Sequence, residues 1–247
     1  MLGKIKASLG FGAAKVDTVL ENMPIVQGST LCGVVHIEGG EVEQQIDAIH
    51  LKLCTRAKVE SDSGIRYQTF VLGALQVVEP FVINPQENKS FDFELGLDDE
   101  TPITLLSKRN NQTKVWIETV LDIGFSVDPN DRDLVHVEAL PVVQKVISGI
   151  EHAGFTMIKS DVEKGFLNGH NFSSRSGCYQ EIEFKKGGLI NNKEIELSFI
   201  LDGSLVHGLA EVDRSLGWSD DQYVAFTLQR EADDAEIGAV LHQILTV

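Results

Sequence analysis

The chain has 247 residues, 43% of them hydrophobic, with 37 acidic against 21 basic side chains and a formal charge of −16. That is enough length and apolar content for two ordinary domains or one large β-domain. The charge argues against nucleic acid or an anionic membrane as the main partner, because both are bound chiefly through Lys and Arg. Solubility alone also accounts for such a surface.

Three cysteines, Cys32, Cys54 and Cys178, give an odd number with no CxxC pair. They form no disulfide framework and fit a reduced, cytoplasmic setting. The opening MLGKIKASLGFGAAKVD has a short, glycine-broken apolar stretch ended by Lys15 and Asp17. No secretory signal is expected there, and no later run approaches a membrane span. Leu2, Ile5, Leu9 and Phe11, with Lys4 and Lys6, could form a short amphipathic helix. Packing on its own domain or on a partner is expected of it in preference to a membrane.

From Lys15 to Val59 the pattern is period two. Leu31, Val35 and Ile37 alternate with Thr30, Cys32, Val34, His36 and Glu38, Gly39-Gly40 offers a turn, and Ile49, Leu51 and Leu53 resume the alternation. The spacing predicts two antiparallel strands with one buried face. Gly64 to Val78 reads as a further strand bent at Gly73. Phe91, Phe93, Leu95 and Leu97 alternate strictly, and Val115, Ile117, Thr119, Leu121 and Ile123 share a face. A strand from Leu134 to Ala139 follows a loop around Asp128-Pro129-Asn130-Asp131. About seven strands with turns at short intervals suggest a β-sandwich in place of an α/β fold.

At Pro141 the period changes. Val142, Val143, Val146, Ile147 and Ile150 fall at helical spacing, with proline at the first turn and Gly154 near the end. This helix reads as a connector between domains, or as packed wholly onto one. Strand grammar then returns at Phe155–Ile158, Tyr179–Phe184, Ile195/Leu197/Phe199 and Tyr223–Leu228, and Ala235 to Leu245 closes with a helical stripe.

Catalytic and metal motifs are weak. In the loop Asp128-Pro129-Asn130-Asp131-Arg132-Asp133, Arg132 occupies a ligand position of a calcium loop and no glycine follows. Turn formation by the aspartates is the stronger reading. The seven histidines show neither HExxH nor zinc-finger spacing. Neither a GxSxG elbow nor a phosphate-binding glycine loop occurs. No catalytic residue and no cofactor are assigned. A metal-dependent enzyme or small-molecule-binding protein using the Asp128–Asp133 loop is the competing reading.

Several phrases, in order, are similar to one family: GFGAAKVDTVLE, GSTLCGVVHIEGG, QQIDAIHLKL, TPIT, VWIETVLDIGFSVDPNDRDLVHVE, YQEIEF and EVDR. The chain resembles the bacterial sporulation-control proteins of the stage 0 protein M type, whose fold is arrestin-like. It departs from them in having Glu138-Ala139 and Lys185-Lys186 where prolines are expected. The resemblance implies an all-β, arrestin-like architecture of two β-sandwich domains joined by a short helix, with a C-terminal helix. The expected boundaries are 1–140, 141–153 and 154–247. It also implies a non-enzymatic scaffold or regulator that binds other proteins. Strand edges would serve as docking sites and also as a route to a homodimer. An inter-domain ion network of the arrestin kind would draw on Arg56, Asp122, Asp128, Asp131, Arg132 and Asp133. Solvated loop charges are the plainer account of these residues. His50 and Lys52, with Arg56, mark the polar face where a partner is expected.

Overall fold

The computed structural model describes residues 12–61, 64–106, 110–124, 129–187, 192–214 and 222–247. In the first half the strands are β1 (Lys15–Leu20), β2 (Ile25–Val26), β3 (Thr30–Glu38), β4 (Gln44–Ser61), β5 (Gly64–Gln76) and β6 (Phe81–Ile83). Then come β7 (Asn88–Gly96), β8 (Val115–Ile123), β9 (Asn130–Val135) and β10 (Val137–Glu138). Helix α1 (Pro141–His152) leads into β11 (Thr156–Lys164), β12 (Cys178–Lys186), β13 (Lys193–Asp202), β14 (Leu205–Arg214) and β15 (Gln222–Gln229). Helix α2 (Asp234–Thr246) ends the chain. The fold is all-β apart from these two helices among the described residues.

Two layers make the first half. One is the three-stranded sheet β1-β3-β7; the other is part of a large sheet in the order β15-β14-β13-β12-β11-β4-β8-β9, with β5 and β6 also on β4. Leu31, Val35 and Ile37 of β3, with Phe93 and Leu95 of β7, bury against Ile49, Leu51 and Leu53 of β4 and Ile117 and Leu121 of β8. The alternation read from the sequence therefore marks two inward faces of a sandwich. The expected pairing is corrected, however. β3 bonds to β1 and β7, whereas β4 bonds to β5, β6, β8 and β11. Gly39-Gly40 is thus a corner between layers and not a hairpin turn. A Cβ at Gly39 would stand 2.1 Å from the Asn84 carbonyl oxygen, and one at Gly40 2.0 Å from that of Gly12. The glycines admit close backbone approach at the corner.

Two smaller differences have local causes. The bend expected at Gly73 is a bulge, where Leu53 faces Gly73 but Cys54 faces Val71. The strand expected over Leu134–Ala139 divides at His136. β9 stays on β8, and β10 leaves to pair in parallel with β2.

The second half is the antiparallel meander β11 to β15, and helices cover its apolar face. All five residues of the α1 stripe, Val142, Val143, Val146, Ile147 and Ile150, are buried with Ile182, Phe184, Ile195, Leu197, Phe226 and Ile237 in a second core. α1 therefore packs on the second half. Its sequel α2 is opened by a capping box, in which Asp233 accepts from the Glu236 N–H and Glu236 accepts from the Asp233 N–H.

Polar buckles join the halves. The Gln180 amide of β12 accepts from the Ile103 N–H (2.8 Å) and donates to the Ile103 carbonyl (2.8 Å), Ser160 Oγ (2.9 Å) and Thr113 Oγ1 (3.1 Å). The buried Glu100 carboxylate accepts from the N–H groups of Arg175 (2.6 Å) and Ser176 (2.8 Å). These bonds clasp the segment after β7 onto the meander.

Candidate functional site

The residues singled out in the sequence do not converge. Asp128 and the N-terminal stretch with Leu2, Ile5, Leu9 and Phe11 lie outside the described residues. His50, Lys52 and Arg56 follow one another on the face of β4 that points away from the first core. There Lys52 is opposite Glu118, and the Arg56 guanidinium lies over the Tyr67 ring at 4.3 Å. Asp122 is half-buried on β8, opposite Ala48. Arg132 stacks over Trp116 at 4.8 Å and reaches the Glu118 carboxylate at 3.8 Å.

Asp131 and Asp133 do come together, with local roles. Asp131 accepts hydrogen bonds from the backbone N–H of Thr18 and of Arg132, both at 2.8 Å. Burial, then the charge of Asp131 and a hydrogen bond to it, then Asp17, push the Asp133 carboxyl up to about 6. The expected inter-domain ion network is therefore corrected: its described members stay in the first half. β9 is the outermost strand of the large sheet, and β8 and β4 separate it from the second half.

Besides Arg230 with Asp99 and Arg175 with Glu100, charges join the halves where β11 meets β4 in parallel, with Glu163 opposite Lys58. One face of this seam is apolar: Ala57, Val162 and Cys178 form a small cluster with Phe70 and Leu72. The other face is charged. Lys58 Nζ lies 2.6 Å from Glu60 and 3.0 Å from Glu163, and Lys159 Nζ lies 2.9 Å from Asp161 and 2.8 Å from Glu183.

Carboxylates outnumber these lysines. Asp161 faces Glu181 directly across β11 and β12, and Glu183, Glu196 and Glu211 form a row across β12, β13 and β14. Like charges directly opposite destabilise a sheet. Burial, reinforced by Glu196 and Glu163, pushes the Glu181 carboxyl up to about 7. Burial, reinforced by Glu211 and Glu183, does the same to Glu196. The hydrogen bond to Glu60 raises Lys58, with Glu163 adding to it. For Lys159, burial works against the charge, and its bonds to Glu183 and Asp161 outweigh that and raise it. A cavity of about 670 Å³ opens here, lined by Lys58, Glu60, Lys159, Glu163, Glu181 and Glu196 among others.

This site was missed in the sequence although a signal was present. Acidic, apolar, acidic recurs on four strands: Asp161-Val162-Glu163, Glu181-Ile182-Glu183, Glu194-Ile195-Glu196 and Glu211-Val212-Asp213. With period-two alternation, each triplet puts two carboxylates on one face and an apolar residue on the other.

A second feature adjoins the seam. β5 pairs with β4 alone among the described strands, and the ladder runs out to Ser61 opposite Gly64. Along β5, Ile65 is 58%, Tyr67 50% and Val71 53% exposed. The ends of β4 and β5 thus form a two-stranded arm with an open edge and apolar side chains in solvent.

Comparison with known proteins agrees with the fold. A family profile described as "SpoOM protein" matches residues 2–216. The sporulation-control protein spo0M of Bacillus subtilis (strain 168) is 32% identical over 262 aligned residues, which cover 98% of this chain and 96% of that protein. The crystal structure of Spo0M from Bacillus subtilis superposes with a TM-score of 0.78 at 30% identity, over 96% of this chain and 97% of that one. The chain belongs to the SpoOM protein family.

Proposed function

We propose that the chain is a non-enzymatic regulatory protein that acts by binding other proteins, and that its partner adds a strand to the open edge of β5. The β5 edge carries this reading. Unpaired ladder groups supply main-chain hydrogen bonds to an extended segment, and Ile65, Tyr67 and Val71 supply apolar contacts at alternate positions. The sporulation-control role in the relative's name supports the regulatory class. A cytoplasmic setting is part of the proposal. It is supported by the buried Cys54 and Cys178, whose thiols burial pushes up to about 11, away from the reactive thiolate. No helix among the described residues is long and apolar enough to cross a membrane.

The test is site-specific photo-crosslinking in cells, with the crosslinker at Ile65, Tyr67 or Val71 and a control at the exposed Phe166. Discrete adducts from β5 that are absent from position 166, and absent when Val71→Lys is added, are expected. A second copy of the chain as the captured species would assign the edge to a homodimer. Equal labelling from β5 and Phe166 would refute the edge.

A further inference from the structure

The pattern of carboxylates at the seam goes beyond a binding edge. Asp161, Glu163 and Glu181 each present a carboxylate oxygen within 4.8 Å of the others. Asp161 and Glu181 are register partners on neighbouring antiparallel strands, and Glu163 lies two residues along β11 on the same face. Rigid sheet backbone, not loops, sets their spacing.

Asp161 is the unusual member. It is only 3% exposed, in a place where an ionised carboxylate loses nearly all its water. Its Oδ2 has the Lys159 ammonium at 2.9 Å, while its Oδ1 is buried and receives no hydrogen bond. A buried carboxylate oxygen without a partner is costly. Lys159 is shared with Glu183, and Lys58 is taken by Glu60 and Glu163. Glu181 and Glu196 add further negative charge beside them.

We propose that Asp161, Glu163 and Glu181 form a site for one hard divalent cation, calcium or magnesium, held at the seam between the two halves. The donors are all carboxylate oxygens, the set that suits these ions and not softer ones. Oxygens up to 4.8 Å apart close on bonds of about 2.3–2.6 Å to calcium with small side-chain movements. The open cavity leaves room for waters to complete the coordination. The cation offsets the repulsion between Asp161 and Glu181 and supplies a partner to the buried Asp161 carboxylate.

The experiment is isothermal titration of the full chain with calcium chloride and, separately, magnesium chloride, against sodium chloride of matched ionic strength. A saturable one-to-one heat with at least one divalent ion is expected, together with a rise in melting temperature that sodium does not reproduce. Glu181→Gln keeps the shape and removes one charged ligand, so it should weaken binding by on the order of tenfold or more. Glu194→Gln, on the same acidic face but outside the triad, should leave binding within about twofold, since it removes only a distant, screened charge. The absence of saturable heat from both ions would overturn the site. Equal weakening by Glu181→Gln and Glu194→Gln would overturn it too, by showing general screening of an acidic face.

Discussion

Gln180→Met tests whether the two halves are clasped as the hydrogen bonds indicate. Methionine has nearly the length and volume of glutamine, so the cavity contribution is small. The amide is lost, and with it both bonds to Ile103, whose N–H and carbonyl are held by Gln180 at 2.8 Å each. Ile103 is 1% exposed, so water does not replace them. Thr113 and Ser160 keep their mutual bond at 3.2 Å and are not orphaned. Two buried backbone groups at about 1–3 kcal/mol each bracket the cost at about 2–6 kcal/mol, and partial relaxation places it near 3 kcal/mol. That is a large share of the roughly 5–15 kcal/mol typical of a folded domain. Urea denaturation should show this loss with an unchanged slope, and the Ile103 amide should exchange faster with deuterium. Thr113→Val should cost far less, because Gln180 retains its other three bonds. A Gln180→Met loss below about 1 kcal/mol, the range of surface substitutions, would refute the clasp.

Leu51→Asp places an unpaired charge in the first core, where Leu51 is fully buried, and should cost several kcal/mol and abolish cooperative melting of the first half. An unchanged melting curve would show that the inward face of β4 is misassigned. Asp133, raised from 3.8 to about 6, favours its protonated form in the fold, so its contribution to stability is fully present below about pH 4 and is lost as pH rises through about 6. The side chain is partly open to solvent, so the loss is about 1 kcal/mol and not the full shift. Asp133→Asn should flatten that part of the profile and raise stability at neutral pH, and an unaltered slope in melting across about pH 4 to 8 would contradict this. Calcium or magnesium at the seam should speed amide exchange in β5 near Tyr67. Identical exchange with and without a saturating ion would separate the seam from the arm.

The sequence made the first sandwich legible because its inward faces are mostly apolar. Leu31, Val35 and Ile37, with Gly33 between the first two, and then Ile49, Leu51 and Leu53 fall at alternate positions, and all six are buried. What alternation could not show is which layer each strand joins, since a corner and a hairpin both begin with glycine. The α1 stripe was equally legible, because five apolar residues at helical spacing have one way to be buried together. β11 was legible only at Phe155–Ile158, because Ser160 and Asp161 are both buried, on opposite faces, and break the apolar alternation. The aspartates of the β9 loop drew notice by their density along the chain, yet Asp131 serves backbone N–H groups. The seam carboxylates come from four strands and gain density only when the sheet brings those strands side by side.

β4 is where the seam and the edge become one problem. Its eighteen residues run from the first core, through Ala57 in the apolar seam cluster, to Ser61 at the tip of the arm. Lys58 stands between the two: its ammonium holds Glu163 of the second half and Glu60 of the arm, and across the ladder it faces Tyr67 of the exposed edge. A divalent ion that takes Glu163 leaves Lys58 with Glu60 alone, so a bond between the halves is lost while the one within the arm stays. A segment docked on β5 meets the same residues from the other side, and any influence of the ion on docking must equal the influence of docking on the ion. The arm is therefore the element whose order reports on the seam.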